Sequence, residues 1–242
     1  MAPGAWRVAQ NFPMIVQTKK VSKIFQEDAA PITALAEISV DIKKGSFMAL
    51  CGPSGSGKTT LLNLIGCLDR PTSGEIWLDG AEISKLPQAR LAKFRLNKIG
   101  FIFQDFNLIP TLNVSENIEY VLWLQGVPAA ERRRRSAEMA ERFGIGGLLA
   151  RRPSQISRGQ QQRVAVARAL VHKPLIVLGD EFTANLDHKT GTALMDFLKD
   201  LNHKEKMTFV YATHDPIMME RAERIVRMQD GRVTGEEVAA KT

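Results

Sequence analysis

The chain of 242 residues is long enough to bury a substantial core, as one large domain or two lobes. Hydrophobic residues make up 44% and charged residues 24%, and charges interrupt each apolar run early, so we expect no segment to cross a bilayer alone. The formal net charge of +7 fits an acidic membrane surface, nucleic acid or a polyanionic ligand, and does not separate them.

Three local features bear on compartment and partners. Residues 1–13 lack the apolar core that a secretory signal needs. Cys51 and Cys67 are not spaced as a metal motif, and lone thiols fit a reducing cytosol, where we expect the protein. The densest basic run, residues 131–142, is interpreted as a solvated helix face, with a lipid or nucleic-acid contact as the alternative.

In chain order, β-prone segments come first and helix-like segments follow. The strand-like segments are MIVQTKKVSKIF from Met14, LAEISVDI from Leu35, FMALC from Phe47 and SGEIWLDG from Ser73. Helical patterns follow Gly57, Val114, Pro128 and Gly159, and another covers residues 187–201.

Four short apolar runs each end in a polar or glycine-rich element. Strand-like runs that alternate with helical ones predict a parallel α/β sheet, whose ligands lie off the carboxyl ends of its strands. We therefore expect the four endings to converge on one cleft. The runs are FMALC before Gly52, IGFIF before Gln104, LIVLG before Asp180 and Glu181, and TFVYAT before His214.

The segment GPSGSGKT, Gly52–Thr59, fits a phosphate-binding loop. Its glycines let the backbone wrap so that amide hydrogens face phosphate oxygens at the start of a helix. Lys58 then places a positive charge on the terminal phosphates, and Thr59 can ligate Mg²⁺. A chance glycine-rich turn is the alternative, but the preceding strand and the following helix favour the phosphate loop.

The polar endings of the other runs suggest hydrolytic chemistry. Asp180 would hold Mg²⁺ through a water and Glu181 could polarise the attacking water, although two carboxylates after a strand can also be a helix cap. Gln104 and His214 are ambiguous alone. Within the cleft we expect Gln104 near the metal and its water, and His214 near the γ-phosphate.

Two further candidates lie far from the phosphate loop in the sequence. Phe25 could stack on adenine, or it could be a core residue. Ser157 with Gln160 three residues later reads as a capping box at a helix start, and the alternative is that this helix start binds a phosphate.

These motifs, in this order, resemble the nucleotide-binding domain of ABC transporters over nearly the whole chain. The matching elements are the phosphate loop, a glutamine loop at Gln104, a signature at Ile156–Gln160, the Asp180–Glu181 pair, an ANLD loop at Ala184–Asp187 and a switch histidine at His214. GCLDRPTSGEIWLDG and FIFQDFNLIPTLNVSENI look most like ATPase subunits of lipoprotein-releasing and macrolide-exporting systems, and are also similar to a cell-division ATPase with a membrane partner.

The resemblance implies an α/β P-loop NTPase fold, with a RecA-like core, an antiparallel β-subdomain and an inserted helical subdomain. We expect a single ABC ATPase domain over residues 14–235. Residues 14–105 and 171–235 would form the core and the β-subdomain, and residues 106–170 the helical signature subdomain.

It also implies ATP and Mg²⁺ as ligands and ATP hydrolysis as the activity. The expected catalytic residues are Lys58, Gln104, Glu181 and His214, and the expected metal-site residues are Thr59, Gln104 and Asp180. The expected nucleotide-binding residues are Phe25, Gly52, Ser54, Gly55, Ser56, Gly57, Lys58, Thr59, Thr60, Gln104, Ser157, Gly159, Gln160, Asp180 and Asp187.

The family resemblance implies a head-to-tail homodimer that closes on ATP, in which Ser157 and the amides near Gly159 contact the γ-phosphate held by the other subunit. A membrane-embedded permease would recruit this dimer to the cytoplasmic side of the membrane, and neither nucleic acid nor direct binding of transported substrate is expected. The resemblance also implies a groove for a cytoplasmic permease helix just after Gln104. It would be lined by Phe106, Leu108, Ile109 and Leu112, and the alternative is that these residues pack in the core. A mechanochemical cell-division ATPase and a catalytically impaired nucleotide-binding module remain alternatives.

The chain departs from the family pattern at three positions. Arg158 stands where glycine is usual; at the first helical position its dihedrals are ordinary, so we expect a working site. Phe182 replaces the usual proline after Glu181, and Gly179 precedes Asp180 where alanine is common. We expect these changes to affect rate more than mechanism.

Overall fold

The computed structural model describes residues 14–26 and 30–238, and the N-terminal stretch that lacks a signal-like core lies outside them. The strands in the described part are β1 (Met14–Phe25), β2 (Ile32–Ile38), β3 (Asp41–Lys43), β4 (Phe47–Cys51), β5 (Ser73–Leu78), β6 (Ala81–Glu82), β7 (Ile99–Ile102), β8 (Ile176–Asp180), β9 (Thr208–Thr213), β10 (Arg224–Gln229) and β11 (Arg232–Val238). The helices there are α1 (Lys58–Ile65), α2 (Gln88–Lys98), α3 (Val114–Leu124), α4 (Ala129–Arg142), α5 (Arg158–Leu170), α6 (His188–Glu205) and α7 (Pro216–Met219).

The main sheet has the strand order β11-β10-β4-β9-β8-β7, and its pairs are parallel except β10 with β11. The four predicted apolar runs are therefore neighbours in one parallel sheet, as expected. In β4, Phe47, Ala49 and Cys51 belong to one hydrophobic cluster, whereas Met48 and Leu50 belong to the other. Because side chains alternate across a strand, this sheet is covered on both faces, which explains its continuous apolar runs.

A second, antiparallel sheet confirms the predicted β-subdomain. It has the order β2-β1-β5-β6, with β3 also paired to β1. Its buried residues pack with those of α1 on one face of the main sheet. The predicted segment from Leu35 divides into β2 and β3, which pair with different parts of the long strand β1.

The predicted helices are present as α1, α3, α4, α5 and α6, and α3 packs against both α4 and α5. Both α3 and α5 begin with a capping box, in which the first side chain and the fourth residue satisfy each other's backbone amides. The basic run lies on α4, where Arg134 pairs with Glu131 and Glu138, and Arg135 pairs with Glu131. These ion pairs support the interpretation as a solvated helix face. In the described part, no helix combines the length and the apolar character needed to span a membrane.

A buried asparagine holds the loop between β7 and α3. Asn117 has no exposed surface; its Oδ1 accepts a hydrogen bond from the Ile109 N–H at 2.8 Å, and its Nδ2 lies 3.0–3.1 Å from the carbonyls of Ile109, Leu112 and Asn113. Asn117→Ala would leave these backbone groups without partners.

We expect Asn117→Ala to lower the free energy of unfolding by about 2 to 3 kcal/mol, measured by urea unfolding. Asn97→Ala is the matched control, because the Asn97 side chain bonds only the Lys93 carbonyl on an exposed helix face. Equal losses in the two variants would contradict the role given to the buried network.

Candidate functional site

The phosphate loop runs from the end of β4 into α1, and two of its glycines have no room for a side chain. A Cβ on Gly52, where φ is 157°, would lie 2.1 Å from the Met228 carbonyl oxygen. A Cβ on Gly57, where φ is 96°, would lie 2.7 Å from the Ala34 carbonyl oxygen. Glycine at these positions therefore lets the loop pack directly against β10 and β2.

A cavity of about 150 Å³ opens over this loop, lined by Ala34, residues 54–60 and Glu181. Gly57 caps α1 and provides no side-chain hydrogen bond, so the first amides of the helix keep their capacity to bind an anion. The hydroxyl of Ser56 is buried and has no hydrogen-bond partner among the described residues. This cavity suits a phosphate group.

Lys58 brings a buried positive charge to the same cavity. Its Nζ donates to the carbonyl oxygens of Gly52 at 2.8 Å and Pro53 at 2.9 Å. It also lies 3.9 Å from Oε1 of Glu181. The ammonium is thus held at the loop by its own backbone, with a carboxylate close by.

Oxygen donors suitable for Mg²⁺ meet beside the loop. The Thr59 hydroxyl donates to Oδ1 of Asp180 at 3.0 Å, which joins the start of α1 to the end of β8. Burial raises the pKa of Asp180, the nearby charge of Glu181 raises it further, and the bond from Thr59 opposes the shift. A hydroxyl and a carboxylate are ligands that Mg²⁺ prefers, so this pair fits the ion.

Glu181 lies between the phosphate loop and His214. Its Oε1 is 3.1 Å from Nδ1 of His214, and its backbone N–H donates to the Ala212 carbonyl at 3.1 Å. Its φ of 41° places the backbone in the left-handed region, which is rare for a residue other than glycine, asparagine or aspartate. The structure therefore brings Lys58, Glu181 and His214 together at one edge of the main sheet.

A second cavity of about 360 Å³ shares Glu181 with the first and is lined by residues of the ANLD loop and the segment after β9. Asp187 caps α6 here, and its hydrogen bonds with Thr190 lower the pKa of the carboxyl. Asn185 was not singled out from the sequence. Its Nδ2 donates to the Gln104 carbonyl at 3.0 Å, so the glutamine loop and the ANLD loop are joined.

The Gln104 side chain is exposed, and in the described chain no hydrogen bond joins it to Thr59 or Asp180. Phe25, at the end of β1, is 39% exposed and lies under the Lys23 ammonium, so it is not a core residue. It is not among the residues that line the phosphate-loop cavity. The expected roles of Gln104 near the metal and of Phe25 on adenine therefore stay predictions.

The loop after Gln104 is partly buried. Phe106 is 8% exposed and belongs to the core, whereas Leu108, Ile109 and Leu112 are half-buried. Sequence reasoning missed Arg168, whose guanidinium donates to the carbonyls of Phe106 at 2.7 Å and Asn107 at 2.6 Å. Burial lowers the pKa of Arg168 to about 10.

Ser157 caps α5 as predicted. Its Oγ accepts the Gln160 N–H at 3.3 Å, and Oε1 of Gln160 accepts the Ser157 N–H at 2.9 Å. Arg158 is the first helical residue, and its φ is not positive, so arginine meets no backbone strain there. Neither Ser157 nor Gly159 lines the phosphate-loop cavity of its own chain, and Ser157 is exposed.

Comparison with known proteins shows which family this chain matches. Residues 35–184 match the family model described as "ABC transporter". An uncharacterised ABC transporter ATP-binding protein of Thermotoga maritima is 44% identical over 221 residues, which are 91% of this chain and 94% of that protein. The dimeric structure of the ATP-binding cassette MJ0796 of Methanocaldococcus jannaschii, in a post-hydrolysis state with ADP and Pi, has a TM-score of 0.88 and 42% identity and covers 94% of this chain and 100% of its own.

A third relative is longer. The macrolide export ATP-binding/permease protein MacB of Brucella melitensis is 42% identical over 219 residues, which are 90% of this chain. The matched segment is 34% of that protein, so this chain corresponds to about a third of its length.

Proposed function

Because this chain belongs to the ABC transporter family, as an ATP-binding subunit that hydrolyses ATP, we propose that two copies hydrolyse ATP to drive a membrane-embedded permease. The observation that carries this proposal is that Lys58 and Glu181 line a phosphate-sized cavity at the end of the parallel sheet, with His214 in contact with Glu181. The phosphate loop binds the nucleotide, and the polar ends of β8 and β9 supply the hydrolytic groups.

In the proposed reaction, Lys58 and the amides at the start of α1 hold the terminal phosphates of ATP. The Glu181 carboxylate orients a water and accepts its proton as the water oxygen attacks the γ-phosphorus, and ADP leaves. His214 fixes the direction of that carboxylate through the 3.1 Å contact, and in this proposal it also contacts the γ-phosphate. Thr59 and Asp180 would hold Mg²⁺, and the ion would supply positive charge near the phosphate oxygens.

Each complete site contains residues of two copies in this proposal. Ser157 and Arg158 are exposed and lie outside the cavity of their own phosphate loop, which favours the use of this helix start by a second copy. A head-to-tail dimer would place them on the γ-phosphate of the neighbour. Hydrolysis removes these contacts, and the dimer then opens.

The permease is the remaining partner. MacB, a relative named as both ATP-binding protein and permease, supports a membrane partner of the export type, with lipoprotein release or efflux as the transport class. The partner would hold this chain at the cytoplasmic side of the membrane. Within the chain, we assign residues 14–105 and 171–235 to the RecA-like core with its β-subdomain, and residues 106–170, which contain α3 to α5, to the helical subdomain.

Affinity capture of the tagged chain from detergent-solubilised membranes tests the permease proposal. We expect an integral membrane protein to be recovered, and its addition to raise the rate of ATP hydrolysis several-fold. Stimulation by a lipoprotein or a macrolide would identify the transport class, whereas stimulation by neither would favour the cell-division alternative. Recovery without any membrane protein would contradict the proposal.

A further inference from the structure

Gly179 and Phe182 flank the two carboxylates at the end of β8, and they touch each other. A Cβ placed on Gly179 would lie 2.5 Å from Cδ1 and 2.7 Å from Cε1 of the Phe182 ring. Carbon atoms in contact are about 3.5 to 4.0 Å apart, so any residue larger than glycine at 179 would displace this ring. Phe182 is 4% exposed, and because buried side chains are closely packed, moving its ring requires its neighbours to move.

The ring of Phe182 also connects β8 to β9. It lies edge-on to the ring of Tyr211, with centroids 6.3 Å apart, and Tyr211 is the parallel-sheet partner of Gly179. The Tyr211 hydroxyl donates to the Met218 carbonyl at 2.9 Å in α7, the helix that follows His214. Phe182 therefore contacts a residue of β8, the strand that leads to Glu181, and a residue of β9, the strand that leads to His214.

Glu181, the carboxylate next to Phe182, is under backbone strain. Glu181 has a φ of 41°, and such a conformation persists only when neighbouring contacts hold it. Two of these contacts are backbone hydrogen bonds, from the Glu181 N–H to the Ala212 carbonyl and from the Ala184 N–H to the Glu181 carbonyl. The buried ring of the adjacent Phe182 is a third anchor, because moving it would rotate the peptide that it shares with Glu181.

We propose that Phe182 is a positioning residue, whose ring directs the Glu181 carboxylate toward His214 and is accommodated only because residue 179 is glycine. The inference rests on the proposed role of Glu181. The structure places the two positions that depart from the family resemblance in contact: the glycine provides the space that the phenylalanine fills. Gly179 and Phe182 are then a coupled pair, and changing one alone is worse than changing both.

A double-mutant cycle tests the pair with Gly179→Ala, Phe182→Pro and the double variant, which restores the pair usual in the family. We expect Gly179→Ala to lower kcat about tenfold, because the displaced ring turns Glu181 away from its working position. The double variant should recover to within about threefold of wild type. Affinity for a non-hydrolysable ATP analogue should change by less than about twofold, because the phosphate loop is not touched.

Two controls separate positioning from simple destabilisation. Gly147→Ala should keep the wild-type kcat, because a Cβ at Gly147 meets no atom within 4 Å. In a Glu181→Gln background, Gly179→Ala should cause no further loss of hydrolysis if it acts through Glu181. The double variant Gly179→Ala/Phe182→Ala repeats the cycle without proline, so a failure of Phe182→Pro to fold does not end the test.

The inference is overturned if Gly179→Ala has the wild-type kcat, if the two losses simply add in the double variant, or if analogue affinity falls in step with kcat. A Glu181→Gln variant with wild-type hydrolysis would instead contradict the proposed role of Glu181. That result is read from a separate variant, so the two failures are distinguishable.

Discussion

Glutamine in place of Glu181 is expected to lower the rate of ATP hydrolysis by about 100-fold or more, because the amide accepts no proton from the attacking water. ATP binding should persist, since Lys58 and the amides of the phosphate loop are unchanged. With hydrolysis blocked, the variant should accumulate as an ATP-loaded dimer. Phosphate release in the presence of Mg²⁺ measures the first effect, and light scattering with and without ATP measures the second.

Glu138→Gln is the matched control for this substitution. Glu138 lies on α4 and pairs with Arg134, away from both cavities, so its variant should hydrolyse ATP at the wild-type rate. If Glu181→Gln also keeps the wild-type rate, Glu181 is not the catalytic carboxylate. A variant that is inactive but monomeric with ATP would contradict the closed dimer.

Lys58→Ala and Ser157→Asp should each lower ATP hydrolysis by about 100-fold, and for different reasons. Lys58→Ala removes the buried ammonium at the phosphate cavity. Ser157→Asp keeps an efficient helix cap, because aspartate accepts the same amide hydrogen, but it places a negative charge against the neighbour's γ-phosphate. The aspartate variant should therefore unfold at the same temperature as wild type, which separates phosphate binding from capping.

Mixing these two inactive variants tests the head-to-tail arrangement directly. A mixed dimer contains one site with both defects and one site with an intact Lys58 and an intact Ser157 from the other copy. Equal mixing makes about half of the dimers mixed, so about a quarter of the wild-type sites should be restored. An inactive mixture, with exchange of copies shown by labelled protein, would mean that Ser157 serves its own chain.

The parallel sheet and the phosphate loop could be predicted because their signals are local. β4, β8 and β9 are buried on both faces, so their sequences are uninterrupted apolar runs, and each is followed at once by its polar residues. The capping box of Ser157 and Gln160 is also contained in four consecutive residues. Patterns of this kind need no knowledge of the rest of the fold.

Two other elements were not predicted, for different reasons. The helix α2 buries only Leu91 and is polar on most of its surface, so its apolar period is weak. The antiparallel pair β10 and β11 does have a local signal, because Asp230 and Gly231 between the two strands both have a positive φ and Asp-Gly favours such a two-residue turn. Sequence reasoning missed that signal, and β11 has mostly exposed residues, so it lacks an apolar pattern of its own.

The same limit applies within the site. Arg168 contacts carbonyls about sixty residues earlier in the chain. Because every residue has a backbone carbonyl, the residue types at these positions do not identify the acceptors. The Gly179–Phe182 contact spans three residues, yet it depends on the left-handed backbone of Glu181 between them. The sequence identified both positions as departures, but only the structure shows that the two residues are in contact.

The hydrogen bonds from Arg168 to the Phe106 and Asn107 carbonyls join the C-terminal part of α5 to the segment after Gln104. Ser157 caps the start of this helix, and Arg168 lies eleven residues further on, about 16 Å along the axis. A sideways displacement of the segment after the glutamine loop would therefore move this end of α5 and tilt the helix. A partner that displaced that segment would therefore change the position of Ser157 at the opposite end of α5.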